Sequence, residues 1–390
     1  IPLPDVDTAQ LASFFAGNQL LGLLNIFTGG NLSQLSIMML GVGPYITASI
    51  IMQLMTLLSP RLKSMYQEEG EYGRKKFAQF SRMLTVPLAL IQGWTYLVLL
   101  QRQGVIVMTT PFDVVLNLAL ITAGSLFLMW LGERITEFGI GNGTSLIIFA
   151  GIVAALPTST AQLLFTFDPS QIPVYLALIA GILIVTYAVV VITEAERPIP
   201  VTYAKRVRGN KVYGGVSTYL PLRLNQSGVI PIIFALSILL FPTVILHFLA
   251  IRFQGNESVV SVSNWVVNTF NPNGWVYALA YFVLVFAFTY FYTAVTFDPN
   301  QISENLQKNG AFIPGVRPGQ STAMHISKIL TRLTAFGALF LGIIAILPLI
   351  VQAITKITAF TIGGTALLIV VSVVIDLIKK TEAQVTMKEY

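Results

Sequence analysis

Long apolar segments alternate with short polar ones along almost the whole chain. Nine of them are long and apolar enough for a membrane-spanning helix, which needs roughly 20 such residues. Their continuous apolarity excludes a β-barrel, whose spans alternate in polarity within segments of about 10 residues. The pattern therefore predicts an all-α polytopic membrane protein, with spans at about 36–57, 83–101, 114–132, 144–166, 172–193, 227–251, 275–296, 329–352 and 358–379.

A shorter segment, from Thr8 to Phe27, precedes the first span and is followed by two glycines. It is more polar than the spans. Such a segment is typical of a re-entrant or interfacial piece that enters the membrane without crossing it.

The basic residues fix the orientation of the spans. With nine spans, all but three of the 23 Lys and Arg residues fall on one side of the membrane, the exceptions being Arg102, Arg252 and Lys356. Cytoplasmic loops of membrane proteins are enriched in Lys and Arg. The loops after the first, third, fifth and seventh spans, and the C-terminal tail, are therefore predicted to be cytoplasmic.

Two of these basic loops are long, at about 196–225 and 298–327. The stretch RGNKVYGG, Arg208 to Gly215, predicts a short β-hairpin in the first. The second carries Arg317 between two prolines. Either loop alone is equally compatible with a solvated basic connection. Two long loops on one face favour a docking surface for a cytoplasmic partner.

Composition narrows the possible chemistry. The chain is 55% hydrophobic and 10% charged, and it has no cysteine, which excludes disulfides and thiolate metal sites. It has two histidines, and neither a Walker loop nor an HExxH motif is present. The stretch GIGNG, Gly139 to Gly143, predicts a tight turn between two spans. We therefore expect no catalytic residue, no metal and no cofactor.

The acidic residues bear on transport. Asp113, Glu133, Glu194 and Asp376 fall near span ends, and no Asp, Glu, Lys, Arg or His falls at the centre of a span. Ion-coupled carriers usually place such groups near the midplane. A passive pore fits the pattern better, although a secondary carrier for a small solute that uses backbone and hydroxyl groups stays possible.

Six segments occur in an order that closely resembles the SecY/Sec61-alpha family of protein-conducting channels. The resemblance covers essentially the whole chain. The segments are PYITASIIMQ, GERITEFGIGNGTSLIIFAGIV, NQSGVIPIIFA, YTAVTFDP, GAFIPGVRPG and GGTALLIVVSVVID.

The resemblance implies a SecY-type channel of ten helices in two pseudo-symmetric halves. The N-terminal half would be 1–170, with helices 2–5, and the C-terminal half 171–390, with helices 6–10. Since nine spans are seen, the first helix is expected to be absent from the given sequence, and Tyr390 resembles an early stop.

The implied function is passage of unfolded secretory polypeptides across the membrane and sideways release of signal or transmembrane segments into lipid. The implied partners are SecE and SecG, SecA or the ribosome at the cytoplasmic loops, and precursors that carry signal sequences. The implied location is the bacterial plasma membrane. An insertase-like module without a pore is a further alternative.

The resemblance also implies roles for individual residues. A ring of apolar side chains at the waist of the pore, here called the pore ring, would consist of Ile46, Ile50, Ile148, Ile233 and Ile369. An apolar constriction gates ions by dewetting and accepts a polypeptide of any sequence. Thr144, one turn before Ile148, would border it.

Three further sets of residues carry implied roles. A plug at about 20–36 would include Leu23, Leu24, Ile26, Phe27, Gly29 and Gly30. A lateral gate would involve Asn225 and Gln92, although Asn225 could equally be a helix cap. Partner docking would use Arg206, Arg208, Lys211 and Arg317.

Overall fold

The computed structural model describes residues 3, 35–67, 69–102, 106, 110–165, 172–203, 206–208, 211–213, 217–239, 261–262, 265–266, 269, 274–355 and 363–389. Most of this part of the chain is α-helical. The helices are α1 Gly43–Leu58, α2 Pro60–Gln67, α3 Gly70–Arg102, α4 Pro111–Phe138, α5 Gly143–Phe165, α6 Ile172–Glu194, α7 Ile230–Leu239, α8 Trp275–Thr296, α9 Pro299–Lys308, α10 Gln320–Thr355 and α11 Gly363–Glu389.

Four helical segments among the described residues are long and apolar enough to cross a membrane. Large apolar side chains on these helices are exposed, for example Leu183 and Ile184 on α6 and Phe336 on α10. Exposed apolar side chains in such numbers are expected where a helix faces lipid rather than water. The four segments are Pro111–Phe138, Tyr175–Glu194, Trp275–Lys308 and Gln320–Val351.

The first predicted span begins later than the apolar pattern indicates. Residues Leu35–Val42 form turns, and helix α1 begins at Gly43. Gly41 has a φ of +56°, a left-handed conformation that glycine adopts without steric cost. Pro44 then lies in the first turn of α1, where its missing N–H needs no partner. Local backbone chemistry therefore delays the helix although the apolar run continues.

Three helices extend well beyond their predicted spans. Helix α3 starts at Gly70 rather than near 83, α10 starts at Gln320 rather than near 329, and α11 continues to Glu389 rather than ending near 379. The added turns contain Lys, Arg, Glu and Gln, which are good helix formers. Hydropathy marks the membrane-spanning part of such a helix and misses its polar extension.

The two long basic loops form one folded unit. Strand β1 (Glu196–Tyr203) pairs antiparallel with β4 (Ser217–Arg223), from Glu196 opposite Arg223 to Thr202 opposite Ser217. On its other edge β1 pairs with β5 (Ala311–Phe312), which belongs to the second loop. Strands β2 (Arg206–Arg208) and β3 (Lys211–Tyr213) pair with each other, which confirms the predicted hairpin.

A small hydrophobic core holds this unit together. Its buried members come from β1, β4, the second loop and the start of α10, namely Ile199, Val201, Leu222, Ala311, Ile313 and Ile326. We call β1–β5, α9 and the N-terminal turns of α10 the loop module. The shared sheet and core were not predicted, because strands from distant loops pair through contacts that local periodicity does not record.

Candidate functional site

The five residues of the pore ring lie in one hydrophobic cluster. Four of them are buried, with 2–6% of their surface exposed, and the fifth is partly buried and packs against the cluster. They come from four helices. Ile46 and Ile50 lie on α1, Ile148 on α5, Ile233 on α7 and Ile369 on α11.

Helical spacing explains how α1 supplies two of these residues. Ile46 and Ile50 are four positions apart and share one face of the helix. Buried β-branched side chains have few rotamers and pack closely, so they leave little space for water. The arrangement can therefore form an apolar barrier. Whether it constricts a pore is a prediction that the cluster alone does not test.

A cavity of about 680 Å³ lies against this cluster, and we call it the approach cavity. Ile46, Ile148 and Ile233 line one part of it, and Thr144 lies beside them. Both α1 and α7, the two helices of the predicted lateral gate, contribute to its walls. The remaining walls are polar and come largely from α3 and α4.

An ion pair joins α3 to α4 in the wall of the approach cavity. Arg82 Nε lies 2.6 Å from Glu133 Oε1. The apolar pattern predicted a position near a span end for Glu133, but it did not predict an ion-pair partner. The sequence indicated only that Arg82 and Glu133 fall on the same predicted side of the membrane, at the ends of consecutive predicted spans, which does not identify them as a pair. The pair is half exposed, so its contribution to stability is small.

A polar stripe on α1 also lines the cavity. Tyr45, Ser49 and Gln53 are spaced four residues apart and share a face beside that of the ring isoleucines. Gln53 Nε2 donates a hydrogen bond to Ser49 Oγ at 3.2 Å, and Gln53 Oε1 is buried without a partner in the described part of the chain. Sequence reasoning missed this stripe, although its spacing was visible.

Asn225 lies in the turn that leads into α7. Its Nδ2 donates to the Gly228 carbonyl oxygen at 3.1 Å, and its Oδ1 accepts from Ser227 Oγ at 3.2 Å. Both bonds are local and order the turn before α7, but neither is an N-cap bond, in which the side-chain oxygen accepts from a backbone N–H. Gln92 lies half-buried on α3. The action of these two residues as a lateral gate stays a prediction.

Arg317, a predicted docking residue, is exposed in the loop before α10. The backbone around it is well anchored. Thr322 Oγ1 donates to the Arg317 carbonyl oxygen at 2.9 Å, and Ser303 Oγ donates to the Gly319 carbonyl oxygen at 2.6 Å. Gly315 and Gly319 have φ angles of +83° and +97°, which favour glycine. The loop therefore presents Arg317 from a defined backbone.

The other predicted site residues are less fully described. The backbones of Arg206, Arg208 and Lys211 form the β2–β3 hairpin, and their side chains lie outside the described part of the structure. The predicted plug residues Leu23, Leu24, Ile26, Phe27, Gly29 and Gly30 also lie outside the described residues.

Comparisons with known proteins agree on one family. The family model SecY matches residues 36–378. The protein translocase subunit SecY of Synechococcus elongatus is 43% identical over 404 residues, covering 100% of this chain and 89% of the relative. The protein of the same name from Thermotoga maritima is 44% identical over 375 residues, covering 95% and 83%.

Solved structures show the same fold. A chain from "The structure of a protein conducting channel" superposes with a TM-score of 0.61 at 20% identity, covering 92% of this chain and 83% of that one. A chain from a study of the plug domain of the SecY protein gives 0.59 at 20% identity, covering 88% and 81%. Sec61 in the canine ribosome-channel complex gives 0.57 at 18% identity, covering 92% and 83%.

Proposed function

This chain belongs to the SecY family, and on that premise we propose that it forms the protein-conducting channel of a translocase. Unfolded secretory polypeptides pass through it, and signal or transmembrane segments leave it sideways into lipid. The predicted family and the predicted all-α membrane fold are both confirmed by the family match and the structural neighbours. The curated relatives are named as translocase subunits rather than small-solute carriers, which favours the channel.

The observation that carries the mechanism is the isoleucine cluster beside the approach cavity. In the proposed channel, Ile46, Ile50, Ile148, Ile233 and Ile369 close the pore to ions when no polypeptide is present. Apolar side chains form no hydrogen bond with the passing chain, so they impose no sequence preference. The channel has no catalysis of its own and receives its energy from its partners or from the membrane potential.

Sideways release requires the two halves of the molecule to separate. We take 1–170 and 171–390 as these halves, with α1 in the first and α7 in the second. Asn225 and Gln92 are the polar residues assigned to the seam. Polar contacts between membrane helices contribute about 0.6 kcal/mol on average, so such a seam yields to an inserting apolar segment. The plug, at about 20–36, would close the opposite end.

The proposed docking partners are argued from the positive charge of the predicted cytoplasmic face. We assign Arg206, Arg208, Lys211 and Arg317 to docking of either SecA or the ribosome, because exposed basic groups suit an acidic protein surface and RNA alike. One structural neighbour is described in a ribosome-channel complex.

SecE and SecG are the proposed accompanying subunits. The bacterial relatives favour the plasma membrane, with the basic loops in the cytoplasm.

The first experiment is site-specific crosslinking of a stalled secretory precursor in membranes. A photoreactive residue is placed at Ile50, at Ile233 and, as a control, at the exposed Ile343 on α10. Crosslinks confined to Ile50 and Ile233 would support a polypeptide path through the pore ring. Equal labelling at Ile343, or none at the ring, would reject these residues as the constriction.

The alternatives predict different transport. A small-solute carrier would give saturable uptake of its solute in liposomes. An insertase-like module would insert membrane proteins and export no soluble precursor. Reconstituted export of a soluble precursor, without a saturable solute flux, distinguishes the channel from both.

The docking proposal has its own variant. Arg317→Glu reverses an exposed charge, so we expect SecA-driven export or ribosome binding to fall about tenfold, while the thermal unfolding midpoint stays unchanged. Lys308→Glu, on the exposed face of α9, makes the same charge reversal and is the matched control. If Arg317→Glu affects neither partner, the docking assignment is wrong.

A further inference from the structure

A second cavity, of about 270 Å³, adjoins the approach cavity. We call it the basic pocket. Its walls come from the start of α5, the turn before α7, the end of α8, the cytoplasmic part of α11 and the end of strand β4. Asn225 of the predicted lateral gate is among its lining residues, but no role predicted from the sequence includes a bound ligand here.

Three cationic side chains and one carboxylate line the basic pocket, namely Arg223, Lys379, Lys380 and Asp376. Lys380 Nζ lies 2.7 Å from Asp376 Oδ2, and Lys379 Nζ lies 3.7 Å from Glu194 Oε1. Arg223 has no ion pair within the described part of the chain. The lining therefore has more positive than negative groups.

The turn before α7 adds backbone donors. Ser227, Gly228 and Val229 line the pocket, and no acceptor for their N–H groups is found among the described residues. Gly228 has a φ of +61°, and such a left-handed residue allows successive N–H groups to point to one concavity. The positive end of the α7 dipole lies at the same place.

Ser372 is an independent sign of a ligand. It lies in the wall of the pocket with only 9% of its surface exposed, and its Oγ has no hydrogen-bond partner in the described structure. Buried polar groups almost always have a partner. Ser372, Asp376 and Lys380 are spaced four residues apart, so the hydroxyl shares a face of α11 with the charged groups.

From these observations we propose that the basic pocket binds a phosphate group. A phosphate has several acceptor oxygens, so it can accept from a guanidinium, backbone N–H groups and a hydroxyl at the same time. A carboxylate ligand has fewer acceptor oxygens and matches this set of donors less well. The donors belong to three separate parts of the fold: Arg223 at the end of β4, the turn before α7, and Ser372 with Lys379 on α11. A bound phosphate therefore joins α7, the predicted gate helix, to α11 and to the loop module.

The experiment measures thermal unfolding of the full chain, purified with whatever subunits accompany it, in detergent. Sodium phosphate is compared with sodium chloride at equal pH and ionic strength. At tenfold the dissociation constant, phosphate should raise the unfolding midpoint by on the order of 2 °C more than chloride does.

Two variants locate the binding. Arg223→Gln should raise the apparent dissociation constant for phosphate about tenfold, since it removes a charge-assisted bond. Ser372→Ala should weaken the response to phosphate while raising the midpoint in chloride, because it removes an unpaired buried hydroxyl. Lys308→Gln makes the same charge change on the exposed face of α9 and should respond as the unmodified protein does.

A lipid arm identifies the source of the phosphate. The same variants are placed in bilayers of phosphatidylglycerol or of an uncharged glycolipid. Stabilisation by inorganic phosphate in detergent supports a free phosphate. Stabilisation by phosphatidylglycerol alone, lost in Arg223→Gln, supports a lipid headgroup. The basic pocket is not a phosphate site if phosphate stabilises no more than chloride and phosphatidylglycerol no more than the glycolipid. The same conclusion follows if Arg223→Gln is stabilised as much as the unmodified protein.

Discussion

The pore-ring cluster and the loop module are built on different principles. The cluster joins apolar faces of eight helices, and the backbone hydrogen bonds within each helix do not depend on a neighbouring element. The loop module depends on hydrogen bonds between segments that are distant in the sequence, from β1 to both β4 and β5. Its core of six buried residues is small.

This difference determines how each region can respond to a partner. Helices held together by apolar side chains can slide or separate without losing backbone hydrogen bonds, as a gate requires. A sheet keeps its geometry only while its strands stay paired and its core stays closed, as a docking platform requires. A substitution that disrupts one of the two regions should therefore leave the other region folded.

The largest effect is expected from Leu222→Asp. Leu222 is fully buried in the loop module, so the variant places an unpaired charge in a small core and should cost about 3–5 kcal/mol. Amide hydrogen exchange should show lost protection at 196–223, with α8 unaffected. Tyr219→Asp, at an exposed position of the same strand, is the control. Lost protection in α8 as well would mean that the two regions unfold as one unit.

Ile233→Asn tests the cluster. The variant introduces an unpaired amide and removes apolar packing, at a cost of about 3 kcal/mol. We expect an ion leak through the purified channel in planar bilayers, with protection of the loop module unchanged. Ile343→Asn puts the same group on the exposed face of α10 and should give no leak. A sealed Ile233→Asn channel would remove this residue from the constriction.

Gly143→Ala tests the joint between α4 and α5 on which the cluster depends. A Cβ at Gly143 would collide with the Gly132 carbonyl oxygen, so we expect a loss of about 1–3 kcal/mol in thermal unfolding. Gly181 on α6 has nothing within 4 Å of the corresponding position. Gly181→Ala should therefore stabilise its helix by about 1 kcal/mol. Equal effects of the two variants would contradict the close approach of α4 and α5.

The smallest effect is expected from Ser303→Ala in the loop module. The variant removes the partly buried hydrogen bond from Ser303 Oγ to the Gly319 carbonyl oxygen and should cost about 1 kcal/mol. Chemical denaturation, together with amide hydrogen exchange at 313–319, measures the loss of stability. Ser327→Ala, exposed on α10, should change nothing. If the two variants change the stability equally, the loop around Arg317 is held by other contacts.

Part of the candidate site could be predicted from sequence because its signals are local. Ile46 and Ile50 share a helix face through their spacing, and the motif resemblance identified isoleucines on three further helices. The Arg82–Glu133 ion pair and the basic pocket could not be predicted in this way. Each depends on side chains from different elements, and no periodicity within one element records which other element lies opposite.

Contiguous residues were sufficient to predict the all-helical membrane class, the family and the β2–β3 hairpin. Apolar run length, ordered motifs and turn composition are properties of contiguous residues. The sheet and core shared by the two basic loops, and the cavity lined by Arg223, Lys379 and Ser372, became visible in the folded chain alone. These groups are far apart along the chain, and helix and strand packing brings them together because apolar surfaces must be buried against partners that local sequence does not specify.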